Sequence, residues 1–479
     1  MNPTQDLIER APQDSVALIE LSEAVGRREW SFAEIADGTA RLAGRFTELG
    51  VQRGDVVLML VGNRSEWVLS MLACWRIGAV ALPCSEMLRS GDLRSRITSS
   101  NPALIVADIR NLDELSAAEP SCPVLAVPAE DLLACDPAPA ANLSENDPAI
   151  VIFTSGTTSE PVGVVHDQSW LVGQELQAKN WFGARAGTVA WCTAAPGWSK
   201  SSRNTFLAPW LCGAAALIHD GRFDPNERLE IVQREAVATL CQAPTEYRII
   251  AKRCNLGPLP QLESMLAAGE ALDAGVIEAF HSATGVWIRD GYGQTETSHL
   301  TGFAPNEQPI PGSMGRALPG VNLWVDDGEL VVDPASVPTF FSHWLDGTAA
   351  PKDKPWRTGD LVREENGVFF FVGRSDDLIN SSGYRIGPLE VEAALEAHPS
   401  VAEAAVVGEA DAERGIVVRA VVVVNQGVEA NDRLIAELQD HVRALTAPYK
   451  YPRIIDFAED LPRTTSGKLQ RSALRGVRQ

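Results

Sequence analysis

Four short segments of the sequence carry residue types that could bind a nucleotide and its phosphates. The first is residues 153–163, FTSGTTSEPVG, which follows the apolar run 149–153. Hydroxyl groups and backbone N–H groups on such a loop can surround phosphate oxygens. The Walker pattern GxxxxGK[ST] occurs nowhere in the chain, so this would be a phosphate loop of another kind. The alternative interpretation is a polar turn after a strand.

The other three segments lie further along the chain. In residues 290–296, DGYGQTE, the ring of Tyr292 can stack on a base and the carboxylate of Glu296 can hold Mg²⁺, a cation that prefers carboxylate oxygen. Residues 356–360, WRTGD, offer the carboxylate of Asp360 to ribose hydroxyls. Residues 461–468, LPRTTSGK, place Lys468 on a glycine-containing loop, with a solvated basic tail as the alternative.

Alternating helices and strands are predicted to position these segments. Residues 31–34, SFAE, form a capping box that predicts a helix, and the apolar run 55–61 predicts a buried strand. The repetition of this pattern predicts an α/β fold with parallel sheets. Residues 119–148 are rich in Pro, Ala and Asp, which predicts a surface excursion. A compact module begins near Gly373, with Pro388 in the first turn of a helix over 389–397.

The composition limits the classes of partner. The chain has 479 residues, enough for two or three domains, and a formal charge of −22, which argues against a nucleic-acid surface. No window approaches the ~18 apolar residues that span a bilayer. Residues 1–15 have neither a positive region nor an apolar core, and the eight cysteines have no CxxC pairing. We therefore expect a cytoplasmic protein with reduced cysteines and small-molecule partners.

In this order and at these separations, the four segments resemble the adenylate-forming superfamily of acyl-CoA synthetases, peptide-synthetase adenylation domains and luciferases. Residues 377–392, DLINSSGYRIGPLEVE, and 446–453, TAPYKYPR, are most similar to medium-chain acyl-CoA synthetases. The resemblance implies a large N-terminal domain of stacked α/β subdomains with parallel-type sheets, residues 1–373. It also implies a small, mobile α+β lid, residues 374–479, with a hinge at Asp376 and the active site between the two domains.

The resemblance also implies the roles of individual residues. Lys468, Glu296 and Thr154 would be catalytic, and Glu296 would bind Mg²⁺. The residues implied to bind ATP or AMP are Thr154, Ser155, Gly156, Thr157, Thr158, Gly269, Glu270, Ala271, Asp290, Gly291, Tyr292, Gly293, Gln294, Thr295, Asp360, Arg374, Arg385 and Lys468. Those implied to contact coenzyme A are Ser382, Gly383, Tyr384, Arg414, Tyr451, Pro452 and Arg453.

The acyl pocket is the least specific part of the resemblance. Its implied residues are Gly197, Trp198, Gln242, Ala243 and His299. Trp210 is predicted to fill the core instead, because bulky aromatic residues most often do. Lys200 and Arg203 could meet a second polar group on the substrate, but solvation at the surface is the favoured interpretation. The sequence does not identify the acid.

The phosphate loop departs from the family pattern at Ser159 and Val162, where Gly and Lys are usual. Either neighbouring donors compensate for the missing charge, or the enzyme is slow or has altered chemistry.

The resemblance implies an ATP-dependent acid–thiol ligase that uses Mg²⁺ and coenzyme A. A medium-chain fatty or aryl acid would become acyl-AMP and then acyl-CoA. Two alternatives remain open: an adenylating enzyme that passes the acyl group to a carrier protein, an amine or another nucleophile, and a catalytically silent nucleotide-binding protein. The expected assembly is a monomer or a homodimer.

Overall fold

A computed structural model describes residues 2–154, 161–270, 272–381, 384–411, 415–447, 449–463 and 469–475. The helices are α1 (Phe32–Glu48), α2 (Ser65–Ile77), α3 (Ser90–Ser100), α4 (Leu112–Ala117), α5 (Ser169–Gln177), α6 (Ala208–Leu211), α7 (Pro225–Arg234), α8 (Pro244–Arg253), α9 (Ala274–Thr284), α10 (Pro388–Glu396) and α11 (Asp432–Leu445). Short 3-10 turns occur at Ile109–Asn111, Pro334–Ser336 and Arg471–Leu474, and π-helical turns at Gln5–Glu9, Ala178–Phe182 and Arg203–Leu207.

The strands form five sheets. They are β1 (Val16–Ser22), β2 (Gly26–Ser31), β3 (Val56–Leu60), β4 (Val80–Pro83), β5 (Leu104–Asp108), β6 (Val124–Val127), β7 (Pro148–Thr154), β8 (Val162–Asp167), β9 (Val189–Cys192), β10 (Ala215–Asp220), β11 (Val237–Gln242), β12 (Ser264–Ala268), β13 (Ile288–Gln294), β14 (Ser298–Gly302), β15 (Arg316–Ala317), β16 (Leu323–Asp326), β17 (Glu329–Val332), β18 (His343–Trp344), β19 (Trp356–Glu365), β20 (Val368–Arg374), β21 (Ile379–Ser381), β22 (Tyr384–Ile386), β23 (Val401–Asp411), β24 (Gly415–Val424) and β25 (Ile454–Phe457).

The chain divides into two compact units that differ from the predicted domains. The first unit is Met1–Asn322 with Asp333–Trp356, and the second is Leu323–Val332 with Arg357–Gln479. The division falls before the predicted boundary at 373/374 because β17 lies beside β19 in one four-stranded sheet, in the order β16-β17-β19-β20. The predicted boundary concerned a mobile lid, and both that lid and its hinge at Asp376 stay predictions.

The first unit contains two large sheets. The strand order of the first sheet is β15-β14-β13-β12-β11-β9-β10-β1-β2, and that of the second is β18-β8-β7-β4-β3-β5-β6. Strands β13, β12, β11, β9, β10 and β1 run parallel, as do β7, β4, β3, β5 and β6. Antiparallel strands complete the edges. The predicted α/β fold class with parallel-type sheets is confirmed.

Helices α1 and α2 pack between the two sheets. One buried cluster joins Leu18 and Ile218 of the first sheet to Val57 and Met59 of the second, through the apolar faces of both helices. The predicted capping box is present at the start of α1, where the Ser31 hydroxyl accepts a hydrogen bond from the backbone N–H of Glu34. Helices α7, α8 and α9 cover the other face of the first sheet, and α3 and α4 cover that of the second.

The prediction of a surface excursion at 119–148 is partly wrong. Residues Val124–Val127 form β6, which pairs in parallel with β5 at the edge of the second sheet. This edge strand has only four residues and is largely half-exposed, so it shows little hydrophobic periodicity. The surrounding Pro and Ala residues therefore led to the prediction of a surface excursion.

The second unit contains the four-stranded sheet, the pair β21–β22 and the sheet β23-β24-β25. Helices α10 and α11 pack on the last of these and bury Val391, Leu395, Leu438 and Val442. Helix α10 begins at Pro388, as predicted. In the described part of the chain, no helix is long and apolar enough to cross a membrane. All eight cysteines are free, and five of them are buried.

Candidate active site

The carboxyl ends of β11, β12 and β13 bring together three segments that the sequence predicted to line the site. Gln242 pairs with Ala267, and Ala268 pairs with Gly291, so Gln242, Gly269 and Gly291 lie along one edge of the first sheet. Ligands of open α/β sheets bind outside this edge. Gly269 has φ +105°, which favours glycine, and it leads the chain out of β12.

Lys200 is buried beside this edge, which corrects its predicted position at the surface. Its Nζ donates a 2.6 Å hydrogen bond to the carbonyl oxygen of Ala268. A Cβ at Gly269 would lie 3.4 Å from the same nitrogen. Trp198 is half-buried, and Lys200 Nζ lies 5.2 Å from the centre of its ring. The loop thus places an ammonium group next to the predicted adenine segment.

Glu296 lies in the tight turn between β13 and β14. Three hydrogen bonds hold the backbone of that turn: His166 Nε2 to the carbonyl oxygen of Thr295 at 2.8 Å, Thr339 Oγ1 to that of Thr297 at 2.7 Å, and Phe341 N to that of Glu296 at 2.8 Å. The carbonyl can only accept, so His166 carries its proton on Nε2. The partly exposed Glu296 carboxylate therefore stands on a fixed turn.

His166 was not predicted, and it connects two predicted segments. It lies on β8, whose first residue Val162 pairs with Thr154 at the end of β7. Strands β7 and β8 therefore hold the two ends of the predicted phosphate loop. Burial lowers the pKa of His166 to about 3, so the ring is neutral at physiological pH. One histidine in an apolar strand gave no signal in the sequence.

The predicted phosphate loop is described only at its two ends. Ser155, Gly156, Thr157, Thr158 and Ser159 lie outside the described residues, as does Ala271 in the adenine segment.

The remaining adenine residues are described. Asp290 is buried, and its carboxyl accepts a 2.9 Å hydrogen bond from the backbone N–H of Gly291. Burial raises the pKa of Asp290 to about 8, so the carboxyl is mainly protonated at neutral pH. Gln294 accepts a 3.0 Å hydrogen bond from Trp356 Nε1, and Glu270 accepts one of 2.7 Å from Thr245 Oγ1. Half-buried positions beside the turn are occupied by Tyr292, Gly293 and Thr295.

The structure separates two residues of the predicted acyl pocket. Gln242 shares its face of the first sheet with Asp290, since both pair through Ala267. His299 lies at the opposite face, where a Cβ at Gly291 would come within 2.5 Å of its Nε2. His299 also stacks on Trp181, with 3.8 Å between ring centres, and burial lowers its pKa well below the usual value.

The other predicted pocket residues lie in loops. Gly197 has φ +90° and approaches the residues that follow β4 so closely that a Cβ would be 2.6 Å from the backbone nitrogen of Ser85. Ala243 precedes α8. Trp210 is buried in the core, as predicted, and its Nε1 donates to the carbonyl oxygen of Ala17 at 2.7 Å. Arg203 is buried rather than solvated, which corrects the prediction for that residue.

In the second unit, Asp360 and Arg374 face each other across β19 and β20. Their Oδ1 and Nη1 atoms are 3.2 Å apart, and Arg374 Nε is also 3.2 Å from Asp376. Burial lowers the pKa of Arg374, but the carboxylates of Asp360 and Asp376 raise it above its usual value overall. The buried Asp360 is therefore held in an ion pair at the predicted ribose position.

Lys468 lies outside the described residues, but both ends of its loop are anchored. Arg463 and Leu469 form an antiparallel bridge, and Gln470 N donates to the carbonyl oxygen of Pro462 at 2.8 Å. Beyond the loop, Arg471 forms an ion pair of 2.6 Å with Glu392.

The predicted coenzyme A segments are only partly described. Ser382, Gly383 and Arg414 lie outside the described residues, and the backbones of Tyr384 and Arg385 form part of β22. Tyr451 is half-buried, with the guanidinium of Arg453 5.1 Å from its ring centre. The carbonyl oxygen of Pro452 accepts a 3.1 Å hydrogen bond from Gln439.

Comparison with known families decides the relationship. The family model described as AMP-binding enzyme matches residues 5–338, and the model of the AMP-binding enzyme C-terminal domain matches residues 390–468. The chain belongs to the AMP-binding enzyme family. The predicted resemblance to adenylate-forming enzymes is confirmed.

Relatives within the AMP-binding enzyme family extend over nearly the whole chain. YtcI of Bacillus subtilis (strain 168), named an uncharacterized acyl-CoA ligase, is 37% identical over 97% of this chain and 93% of its own. The mitochondrial acyl-coenzyme A synthetase ACSM3 of Rattus norvegicus is 35% identical over 93% and 84%, respectively. The crystal structure of Brucella canis acyl-CoA synthetase is similar with a TM-score of 0.75 and 31% identity, covering 99% of this chain and 94% of its own.

The carboxylate of Glu296 is a suitable ligand for the Mg²⁺ ion that family members use. Among the described residues, no group of three or more His, Cys, Asp or Glu could hold a metal ion with protein ligands alone. Mg²⁺ commonly binds through one or two carboxylates together with substrate phosphates. Glu296, partly exposed on its fixed turn, suits that mode.

Proposed function

We propose that this protein is an ATP-dependent acid–CoA ligase that converts a carboxylic acid to acyl-AMP and then to acyl-CoA. The observation that carries the proposal is the match of both family models, in order, together with relatives named acyl-CoA ligase and acyl-coenzyme A synthetase along almost the full chain. The predicted medium-chain or aryl nature of the acid stays a prediction.

In the first half-reaction, a carboxylate oxygen of the acid attacks the α-phosphorus of ATP. A new P–O bond forms, and the bond to the bridging oxygen breaks to release pyrophosphate. Both reactants are anions, so the protein must mainly neutralise charge and fix their orientation. We assign these tasks to Lys468 and to the phosphate loop that follows Thr154. Mg²⁺ held by Glu296 and the phosphates would supply further positive charge.

In the second half-reaction, the thiolate of coenzyme A attacks the acyl carbonyl carbon, and the bond from that carbon to the AMP oxygen breaks. No protein nucleophile is required. Two of the buried cysteines are poorly suited to that role, since burial raises the pKa of Cys84 to about 12 and that of Cys74 well above its usual value. We assign coenzyme A binding to the segment around Tyr384 and to residues 451–453.

The first test is acid-dependent pyrophosphate release from Mg-ATP over a panel of short, medium-chain and aryl acids, with and without coenzyme A. Release accompanied by a thioester product supports the ligase. Acyl-AMP that accumulates regardless of coenzyme A would replace it with an adenylating enzyme for another acceptor. Binding of ATP without release for any acid would contradict the proposal and indicate that Ser159 and Val162 disable the phosphate loop.

Lys468→Ala tests the assigned roles within that reaction. We expect adenylation to fall about 10²–10³-fold, the usual cost of one preorganised charge. Formation of the thioester from supplied acyl-AMP should persist, because the adenylation step is bypassed. The exposed Lys354, changed to Ala, is the matched control and should retain both half-reactions. Equal loss of both half-reactions in Lys468→Ala would refute the role.

A further inference from the structure

Arg203 is a buried cation with unused hydrogen-bond donors. Its side chain is 4% exposed, and neither Nε nor Nη1 has a hydrogen-bond partner among the described residues. It begins the π-helical turn Arg203–Leu207, which runs directly into α6. Such turns inside helices occur frequently at functional sites.

The charge of Arg203 is not compensated by a carboxylate in the described part of the chain. Burial lowers its pKa to about 10, so the guanidinium stays charged at neutral pH. The ionisable groups that act on it are the thiols of Cys192 and Cys241, which pair on neighbouring strands. Thiols are weak hydrogen-bond acceptors. Burial of an unpaired charge is costly, so a missing partner requires an explanation.

Further buried polar groups lie on β14, on α5 and on the turn Ala178–Phe182, which contacts the turn Arg203–Leu207. The charge of Arg203 acts on His299, whose ring approaches the backbone of Thr301 but makes no hydrogen bond to another side chain within the described residues. Nε1 of Trp181, which stacks on His299, and both amide atoms of Gln177, one helical turn before Trp181, have no hydrogen-bond partner in that part of the chain. We call Arg203, His299, Trp181 and Gln177 the polar cluster.

The polar cluster lies beside the predicted adenylate site. His299 and Trp181 both contact the position where a Cβ of Gly291 would be, and Gly291 belongs to the predicted adenine segment. Arg203 also acts on His166, whose ring holds the turn that carries Glu296. The charge of Arg203 therefore acts on histidines of both large sheets of the first unit. A hydrocarbon chain would leave all these polar groups unpaired, which disfavours a simple fatty acid.

We propose that the polar cluster binds a second carboxylate on the acid substrate, so that the ligase activates a dicarboxylic acid through its other carboxyl group. This inference rests on the proposed ligase function. A planar guanidinium matches a carboxylate in shape and charge and can donate two parallel hydrogen bonds to it. The donors of Trp181, Gln177 and neutral His299 can satisfy its remaining lone pairs.

The test compares dicarboxylic acids with their monomethyl esters in the pyrophosphate-release assay with coenzyme A. The ester keeps one reacting carboxyl group and nearly the same shape but removes the second charge. For the wild type, we expect kcat/KM for the diacid to exceed that for its ester by about 100-fold or more, since sites built for a polar group strongly reject analogues that lack it. Short, medium-chain and aryl pairs are compared.

Arg203→Met and Arg203→Lys are the decisive variants. Arg203→Met should lose about 100-fold in kcat/KM for the diacid while retaining activity with the ester, so the preference disappears. Arg203→Lys should restore part of the preference because it keeps the charge. A merely structural residue would lower activity on both acids together.

The outcomes separate this inference from the ligase proposal. Activity on monocarboxylic acids with no diacid preference in the wild type would overturn the assignment of the polar cluster and leave the ligase intact. An unchanged diacid-to-ester ratio in Arg203→Met would also overturn it. No acid-dependent release with any acid would instead contradict the ligase function itself.

Discussion

Two buried arginines of the first unit have opposite surroundings. Arg289 and Arg203 are each 4% exposed, and burial lowers the pKa of each to about 10. Arg289 donates from Nη1 to the carbonyl oxygens of Trp181 and Phe303, at 2.7 and 3.0 Å, and from Nη2 to Ser264 Oγ at 2.7 Å. No comparable bond to Arg203 Nε or Nη1 occurs in the described residues.

This difference in hydrogen bonding indicates a different role for each arginine. Both guanidinium groups lose their contact with water at a similar cost in free energy. Only Arg289 offsets that cost with hydrogen bonds inside the fold. Arg289 therefore acts as a structural clamp that joins β13 to the π-helical turn Ala178–Phe182. Trp181 connects the two regions, because its carbonyl is held by Arg289 while its indole stacks on His299. The polar cluster is thus attached to a segment that Arg289 holds in place.

The largest expected difference between the two arginines is the effect of substitution on the free energy of unfolding. Arg289→Met leaves three buried acceptors without a donor, so we expect it to lose about 3 kcal/mol or more of the free energy of unfolding. Arg203→Met removes an uncompensated charge and should be as stable as the wild type, or more stable. Denaturant unfolding of both variants measures the contrast. Similar destabilisation by the two substitutions would mean that Arg203 is also a structural clamp.

Asp290 is a buried carboxyl group beside Lys200, on the face of the first sheet opposite His299. Its pKa is raised to about 8 in the fold, whereas an unfolded chain ionises Asp near its usual value, about 4. The folded state therefore binds the extra proton between these values, and stability falls as pH rises through that interval. Above the folded pKa the loss levels off. We expect the wild type to lose about 2 kcal/mol relative to Asp290→Asn between about pH 6 and pH 8.

Unfolding of both proteins over that pH range provides the measurement. A parallel pH dependence of the two proteins would mean that Asp290 is ionised in the fold. In that case a carboxylate would be present beside Lys200, on the face of the first sheet that carries Gln242.

The sequence predicted those features that depend on local patterns. The capping box at Ser31, the α/β alternation and the turn that carries Glu296 follow from turn chemistry and hydrophobic periodicity. The family segments also named residues of β11, β12 and β13 that the structure places near one another. Residues 197–204, GWSKSSRN, carry mostly polar side chains, which led to the wrong expectation that Lys200 and Arg203 are solvated.

What could not be predicted depends on distant partners and strand register. Lys200 bonds to Ala268, 68 residues away, and His166 bonds to Thr295, 129 residues away. The separation of Gln242 and His299 onto opposite faces depends on the pairing of β11, β12 and β13. One residue of register exchanges the two faces of a strand, and no local pattern determined it here.

The smallest expected difference in the free energy of unfolding is between substitutions of two buried polar side chains, one with a hydrogen-bond partner and one without. Thr339 Oγ1 donates to the carbonyl oxygen of Thr297, so Thr339→Val should lose about 1 kcal/mol of the free energy of unfolding. Gln177 has no hydrogen-bond partner for its amide within the described chain, so Gln177→Met should lose nothing measurable while it weakens the diacid preference. Denaturant unfolding and the diacid-to-ester ratio check both. If Gln177→Met were the less stable of the two, its amide would have a partner inside the fold, and the polar cluster would lose a member.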